Sequence, residues 1–286
     1  MKSVTRQVRG QTQKELVKLF DQLAQRHSRW EVWADFVYMT AAALSNAVDK
    51  VHFKEREKDY LTIAGKYNKA ELEAVAEMFA LLGIGMDENP DQDFLGGLFM
   101  SLDLGNRYKG QFFTPYNVCR MMAQITCTDN LKARLDRQGW ASVNDCCCGA
   151  GALLVAFANE CLRQKINYQT SVLFVAQDID LTAGLMCYIQ LSLLGCPGYV
   201  VIGNTLTEPS VSLDGRGLIP LDKGSVWYTP FYFRDEWHWR RVWAQMDMIF
   251  QSGRKEEQGP ALPEPVLPEP EPVAYNATKT GQLTLF

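Results

Sequence analysis

The chain has 286 residues and a formal net charge of −4, with 47% hydrophobic and 22% charged residues. This composition is typical of a globular protein with a sizeable core, and the charge gives no overall basic signature for nucleic acid. No stretch reaches the roughly 18 consecutive apolar residues that a bilayer span needs. The N-terminus is polar, unlike a secretory signal, so a cytoplasmic protein without membrane association is expected.

Eight cysteines are present, and none of them forms a C-x-x-C pair. Three of them are adjacent, Cys146, Cys147 and Cys148, and adjacent cysteines cannot easily anchor separate disulfides. We therefore predict reduced and mostly buried thiols. The three histidines are scattered along the chain, so no metal site is expected.

The first 105 residues have the periodicity of helices. Apolar side chains recur at three- and four-residue spacing between Leu16 and Leu23, and again between Leu72 and Leu82, before Gly83. Residues 1–105 are therefore predicted to form a helical N-terminal region.

From about residue 140, short apolar runs alternate with helical segments. Strands are predicted at 141–143, 172–176 and 199–202, and helices at 152–161 and 182–194. This alternation predicts an α/β fold with a parallel sheet, in which the turn after each strand lies at one edge.

The first of these turns contains glycines. Asp145 ends the strand, and Gly149-Ala150-Gly151 then leads into an apolar helix. Glycines let the backbone approach a ligand, and a helix N-terminus offers free N–H groups. A dinucleotide site would continue G-x-G-x-x-G, but Leu154 occupies the third position, which favours a smaller zwitterionic ligand. By itself the turn could equally be a tight connection between two packed elements.

Polar side chains also end the next two strands. Asp178 follows the second strand, where a carboxylate can accept both hydroxyls of a ribose. Asn204 follows the third strand and could pair with an adenine edge. Three suitable groups at three successive strand ends predict a nucleoside-binding site.

Several motifs resemble those of N6-adenine DNA methylases, in particular the modification subunits of type I restriction systems. Residues 110–115, G-Q-F-F-T-P, match that family's G-Q-[FY]-F-T-P element, and 145–151 resemble its D-P-x-C-G-S-G turn, with Cys146 in place of Pro. Residues 177–180 and 203–206 resemble two further strand ends, with Asn204 in place of Asp. The resemblance covers roughly residues 90 to 206.

This resemblance implies a Rossmann-like, S-adenosylmethionine-dependent methyltransferase domain at residues 106–250. It implies DNA as the substrate, and a DNA-specificity subunit of a restriction-modification system as a partner. The residues that it assigns to the S-adenosylmethionine site are Gly110, Gln111, Phe112, Phe113, Thr114, Pro115, Asp145, Gly149, Ala150, Gly151, Asp178, Ile179 and Asn204. For Phe112 and Phe113, plain core packing is the alternative.

The catalytic [DN]-P-P-[YF] tetrapeptide of that family does not occur in the chain. The nearest candidate is Tyr228-Thr229-Pro230-Phe231, so Tyr228, Pro230 and Phe231 are the candidate catalytic residues. A phenol cannot reproduce the acceptor geometry of an amide. The hypotheses are a DNA adenine methyltransferase, a cofactor-binding adaptor without methyl transfer, and a methyltransferase for another substrate.

The segment after this candidate, residues 232–243, is dense in aromatic residues and arginines. It could stack on bases and contact phosphates. An amphipathic helix whose aromatic residues complete the core is the favoured interpretation, because Asp235 and Glu236 dilute the charge.

The C-terminal part of the chain contains two segments of different character. Residues 251–281 are rich in Pro and Glu and are predicted to be a disordered linker. Residues 282–286 resemble the Q-L-[SD]-L-F peptide that binds the bacterial sliding clamp. The resemblance assigns Gln282, Leu283, Leu285 and Phe286 to that contact.

Overall fold

The computed structural model describes residues 10–104, 113–221, 225–257, 276–277 and 283–284, with side chains up to residue 250. The chain divides into two units, the first ending at Met246 and the second beginning at Asp247. No described helix has both the length and the apolar character needed to cross a membrane.

Five helices form the N-terminal region, as the periodicity predicts. They are α1 Gln11–Leu23, α2 Arg29–Val48, α3 Phe53–Ala64, α4 Lys69–Glu88 and α5 Phe94–Ser101. Side-chain caps fix where several of them begin: Ser28 accepts from Glu31 N–H at the start of α2, and Asn68 and Glu71 form a capping box on α4. Their apolar faces belong to the same core cluster as the helices of the α/β part.

Two further helices, which the sequence analysis did not identify, connect this region to the sheet. They are α6 Tyr116–Thr126 and α7 Asp129–Gln138. Helix α6 buries Cys119 and Ala123, whereas Met121 and Ile125 are exposed. Helix α7 buries none of its residues and ends at Gly139 in the left-handed conformation.

The sheet has four strands in the order β1-β2-β3-β4. The strands are β1 Ala141–Asp145, β2 Val172–Asp178, β3 Gly198–Ile202 and β4 Val226–Tyr228. The first three are parallel, as predicted, but β4 is antiparallel to β3. The connecting helices are α8 Ala152–Arg163, α9 Tyr168–Ser171 and α10 Leu181–Leu193. Because β1 to β3 are parallel, their carboxyl ends meet at one edge.

A short 3₁₀ helix, Pro230–Phe233, and a long helix, α11 Asp235–Glu257, follow β4. Trp237 is fully buried against Trp140, so the favoured interpretation of a helix that completes the core is confirmed for this residue. The Arg240 guanidinium stacks on Trp237 and donates to the Thr170 carbonyl oxygen (2.6 Å). This contact ties the guanidinium to the protein rather than leaving it free for phosphate.

Helix α11 continues past residue 250, where the linker was predicted to begin, so residues 251–257 are helical. In the second unit, β5 Asn276–Ala277 pairs antiparallel with β6 Leu283–Thr284.

Candidate cofactor site

A cavity of about 640 Å³ lies at the carboxyl ends of β1, β2 and β3. Its walls come from the turn after β1, the residues after β2 and β3, and the start of α6. It is lined by Phe113, Thr114, Cys119, Met122, Asp145, Cys146, Cys147, Cys148, Gly149, Ala150, Ala152, Leu153, Asp178, Ile179, Asp180, Asn204, Thr205 and Leu206. The three strand ends identified from the sequence therefore converge on one cavity.

The two glycines of the turn after β1 are required by its geometry. Gly149 has φ +53° and Gly151 has φ +90°, a region that L side chains rarely adopt. A Cβ on Gly149 would lie 3.0 Å from the Phe113 ring, and one on Gly151 would lie 2.7 Å from Cys187 Sγ. The turn is therefore packed closely on both sides, and Gly151 immediately precedes α8.

Asp178 joins this turn to the end of β2. Its Oδ2 accepts from the Gly149 N–H (2.7 Å), and its Oδ1 accepts from the Asp180 N–H (2.9 Å). An ionised carboxylate has about four lone-pair sites, so each oxygen can still accept a hydroxyl. The side chain is thus fixed in orientation and remains able to bind a diol.

The charge of the cavity is negative. Asp145, Asp178 and Asp180 line it, and its described lining includes no Lys, Arg or His. The pKa of Asp145 is raised, first by burial and then by the charge of Asp178, while the Cys147 N–H that it accepts opposes the rise. Such a site favours a cationic group over a phosphate.

Asn204 and its neighbours form the wall beyond β3. Asn204 Oδ1 accepts from the Leu206 N–H (2.9 Å), so the side-chain NH₂ stays available to a ligand. The sequence analysis missed Gln177, a buried residue whose Nε2 donates to the Glu208 carbonyl oxygen (2.8 Å) and whose Oε1 accepts from the Ser210 N–H (2.8 Å). Gln177 follows five apolar residues in β2, and this polar residue in an apolar run could have indicated that its side chain supports the wall of the cavity.

Most of the predicted cofactor residues lie at the cavity. Phe113, Thr114, Asp145, Gly149, Ala150, Asp178, Ile179 and Asn204 line it. Pro115 precedes the first residue of α6, and Gly151 precedes α8, so both shape the site without lining it. Gly110, Gln111 and Phe112 lie outside the described residues. Asp180 lines the cavity but was not assigned to the site; it also caps α10, its Oδ1 accepting from Ala183 N–H.

The structure does not bring the candidate catalytic residues to this cavity. Because β4 is antiparallel, Tyr228 pairs with Tyr199 near the start of β3, four residues or about 13 Å from Gly203. Tyr228 stacks on Tyr232 with ring centroids 4.8 Å apart. Tyr228, Pro230 and Phe231 therefore lie toward the amino end of β3, whereas the cavity lies at the carboxyl ends of the parallel strands.

The residues around Tyr228 have structural contacts instead. The Thr229 hydroxyl is buried, donates to the Cys196 carbonyl oxygen (2.7 Å) and accepts from the Gly198 N–H (3.0 Å). The Phe231 ring packs on Gly195, where a Cβ would lie 2.9 Å from it. These contacts fix the loop before β3 and leave no role at the cavity for this tetrapeptide.

A second cavity, of about 490 Å³, lies among α1, α4, α5 and α6. Its three carboxylates already have partners: Thr12 donates to Glu88, Tyr116 to Asp91 and Gln190 to Asp93. None of the residues assigned to the cofactor from the sequence is among the described residues that line this cavity.

A comparison with protein families agrees with the motifs. Residues 103–238 match the model of the N-6 DNA Methylase family, which includes the cavity wall from Phe113 to Leu206. This match confirms the resemblance inferred from the sequence motifs. The matched residues make up slightly less than half of the chain. No curated protein matches the chain significantly.

Two solved structures are similar to this chain. One is described as a class I S-adenosylmethionine-dependent methyltransferase from Listeria monocytogenes, with 16% identity and a TM-score of 0.43 over 70% of this chain. The other is the type I restriction-modification system methyltransferase subunit from Streptococcus thermophilus, with 19% identity and a TM-score of 0.36 over 72% of this chain. The chain covers 56% and 42% of these two chains, respectively.

The predicted clamp-binding peptide is not tested by the structure. Gln282, Leu285 and Phe286 lie outside the described residues, and only the backbone of Leu283 is described, in β6.

Proposed function

We propose that this protein is an S-adenosylmethionine-dependent methyltransferase that acts on adenine N6 in DNA. The observation that carries the proposal is the convergence of Asp178, Asn204 and the Gly149–Gly151 turn on one acidic cavity within a methylase domain. A restriction-modification system, with a DNA-specificity subunit as partner, is the context that fits this activity.

The residues of the cavity suit S-adenosylmethionine. Asp178 would accept the two ribose hydroxyls, and Asn204 has a free NH₂ for the acceptor nitrogens of the adenine edge. Bound there, the cofactor supplies a sulfonium methyl group to a nucleophile. The carboxylates around the site favour that positive charge, and the glycine turn lets the backbone approach closely.

Methyl transfer also requires acceptors that hold the exocyclic amine of the target base. The chain has no [DN]-P-P-[YF]. Its nearest equivalent lies toward the amino end of β3, away from the cavity. This observation favours a second candidate function, that of an adaptor that binds S-adenosylmethionine without transferring the methyl group. The tail peptide would then connect the protein to the sliding clamp.

The test is methyl transfer from tritiated S-adenosylmethionine to unmethylated duplex DNA by the full-length protein, followed by nucleoside analysis. Label in N6-methyladenine supports the enzyme. Binding of the cofactor without label in DNA supports the adaptor, and deletion of residues 282–286 should then abolish co-elution with the purified clamp. Label in another nucleoside would contradict adenine specificity.

A further inference from the structure

Gln190 is a fully buried polar residue on α10 whose side-chain amide uses its whole hydrogen-bonding capacity. Its Oε1 accepts from two backbone N–H groups, those of Phe94 (2.8 Å) and Leu95 (3.2 Å). Its Nε2 donates to Asp93 Oδ1 (2.9 Å) and to the carbonyl oxygen of Ala150 (2.7 Å). The four partners require a side chain that accepts two hydrogen bonds and donates two. A side-chain amide does so through its oxygen and its NH₂ group.

These four bonds join two parts of the molecule that are distant in sequence. Phe94 and Leu95 are the first residues of α5, in the N-terminal helical region, and Asp93 caps that helix by accepting from Gly96 N–H (2.9 Å). Ala150 is the middle residue of the glycine turn and lines the cofactor cavity. The start of α5 is therefore bonded, through one side chain, to the turn that forms the cavity wall.

A second contact joins the same two parts. The Phe99 ring of α5 packs against the Phe113 ring, with centroids 5.3 Å apart. Phe113 in turn packs closely on Gly149, since a Cβ there would lie 3.0 Å from its ring. Helix α5 thus supports the turn at both Gly149 and Ala150.

Asp178 holds the turn from the other side, because its Oδ2 accepts from the Gly149 N–H. One peptide of the turn is consequently fixed by a carboxylate that also faces the ligand. The Ala150 carbonyl, two peptides further along the chain, is fixed by Gln190, which does not line the cavity. The orientation of the turn depends on both bonds.

We propose that Gln190 is a positioning residue for the cofactor, through which the docking of the N-terminal helical region sets the affinity of the methylase domain for S-adenosylmethionine. This inference rests on the proposed function, since it takes the cavity to be the S-adenosylmethionine site. The helical region then contributes to cofactor binding indirectly, through the bonds of Gln190 to α5 and to the glycine turn.

Two substitutions separate the roles of the amide. Gln190→Glu keeps an acceptor for Phe94 and Leu95 but cannot donate to Ala150 when ionised, and it places a second carboxylate beside Asp93. Gln190→Met keeps the length and removes all four bonds. Each variant leaves the Ala150 carbonyl without its partner, so S-adenosylmethionine should bind about tenfold more weakly or worse in calorimetric titration.

Asn159 provides the matched control. It is a buried amide on α8 whose Nδ2 donates to the carbonyl oxygens of Pro90 and Val155, both at 2.9 Å, and it does not touch the turn. Asn159→Asp should lower the thermal midpoint much as the Gln190 variants do. Its affinity for S-adenosylmethionine, measured on folded protein, should stay within about twofold of wild type. A residue with a merely structural role would behave as Asn159 does.

Hydrogen exchange on the wild-type protein tests the same link without any substitution. Because coupling between two sites is reciprocal, S-adenosylmethionine should slow exchange in peptides that cover Phe94 and Leu95, and should leave peptides of α3 unchanged. Unchanged affinity in folded Gln190 variants, or unchanged exchange at α5, would overturn the inference. Absence of binding to the wild-type protein would instead contradict the proposed function.

Discussion

Cys146 and Cys147 are exposed residues that line the cavity at the ends of β1, β2 and β3, whereas the other six cysteines are buried. The prediction that most of the thiols are buried is confirmed. Local desolvation and the neighbouring Cys146 thiol raise the pKa of Cys147, so its alkylation should be slow near neutral pH.

Bound S-adenosylmethionine should protect these two thiols from iodoacetamide, because it would cover the wall on which they lie. We expect alkylation of both residues to slow severalfold at saturating cofactor, as measured by peptide mass spectrometry. Buried Cys196 should stay unmodified with or without cofactor. Equal rates with and without bound cofactor would place the ligand elsewhere.

Individual site residues were predictable where the backbone restricts the choice of residue. Gly149 and Gly151 occupy positive φ angles, and Asp178 ends a strand whose neighbours are parallel. Gln190 was not predictable, because its four partners come from segments that only the folded chain brings together.

At the scale of the elements, the direction of β4 determines whether the candidate catalytic residues that follow it can reach the cavity. Tyr228 follows Asn204 by 24 residues (228 − 204), but distance along the chain does not give strand direction. The antiparallel pairing of β4 with β3 turns its end away from the cavity. The prediction of a parallel sheet, made for the strands now called β1, β2 and β3, is confirmed, whereas the direction of β4 was not predicted.

Tyr228→Ala should therefore leave the affinity for S-adenosylmethionine within about twofold of wild type. It should lower the free energy of unfolding by roughly 1–3 kcal/mol, because the stacked ring pair with Tyr232 is lost. Calorimetric titration and urea unfolding give the two quantities. Phe113→Ala, which removes a cavity wall, should weaken binding clearly; a large loss of affinity in Tyr228→Ala would contradict the placement of β4.

At the scale of the whole molecule, the helical region and the sheet are joined by a buried cation. The Arg56 guanidinium of α3 donates to Asp49 Oδ2 (2.8 Å) and to the carbonyl oxygen of Val226 in β4 (2.6 Å). It also lies 4.0 Å from the centroid of the Trp227 ring. The prediction of a helical region at residues 1–105 includes α3 but gave no sign of this contact, because it joins residues 170 positions apart.

Arg56→Ala should lower the free energy of unfolding by about 3–5 kcal/mol, since Asp49 would be left buried and partly unpaired. Lys54→Ala, at an exposed position of the same helix, should change it by less than about 0.5 kcal/mol. Urea unfolding followed by far-UV circular dichroism measures both. Loss of the helical signal at lower urea than the loss of tryptophan burial would show that the two regions unfold separately.

The central claim is that the cavity at the ends of β1, β2 and β3 binds S-adenosylmethionine through Asp178. The most direct measurement is calorimetric titration of the wild-type protein, Asp178→Asn and Asp180→Asn with S-adenosylmethionine. Asn at position 180 keeps the cap of α10 and removes one cavity charge, so it controls for charge alone. We predict one site per chain in the wild type, a loss of about tenfold or more in Asp178→Asn, and a smaller loss in Asp180→Asn. No heat of binding with folded wild-type protein, or equal losses in the two variants, would contradict this account.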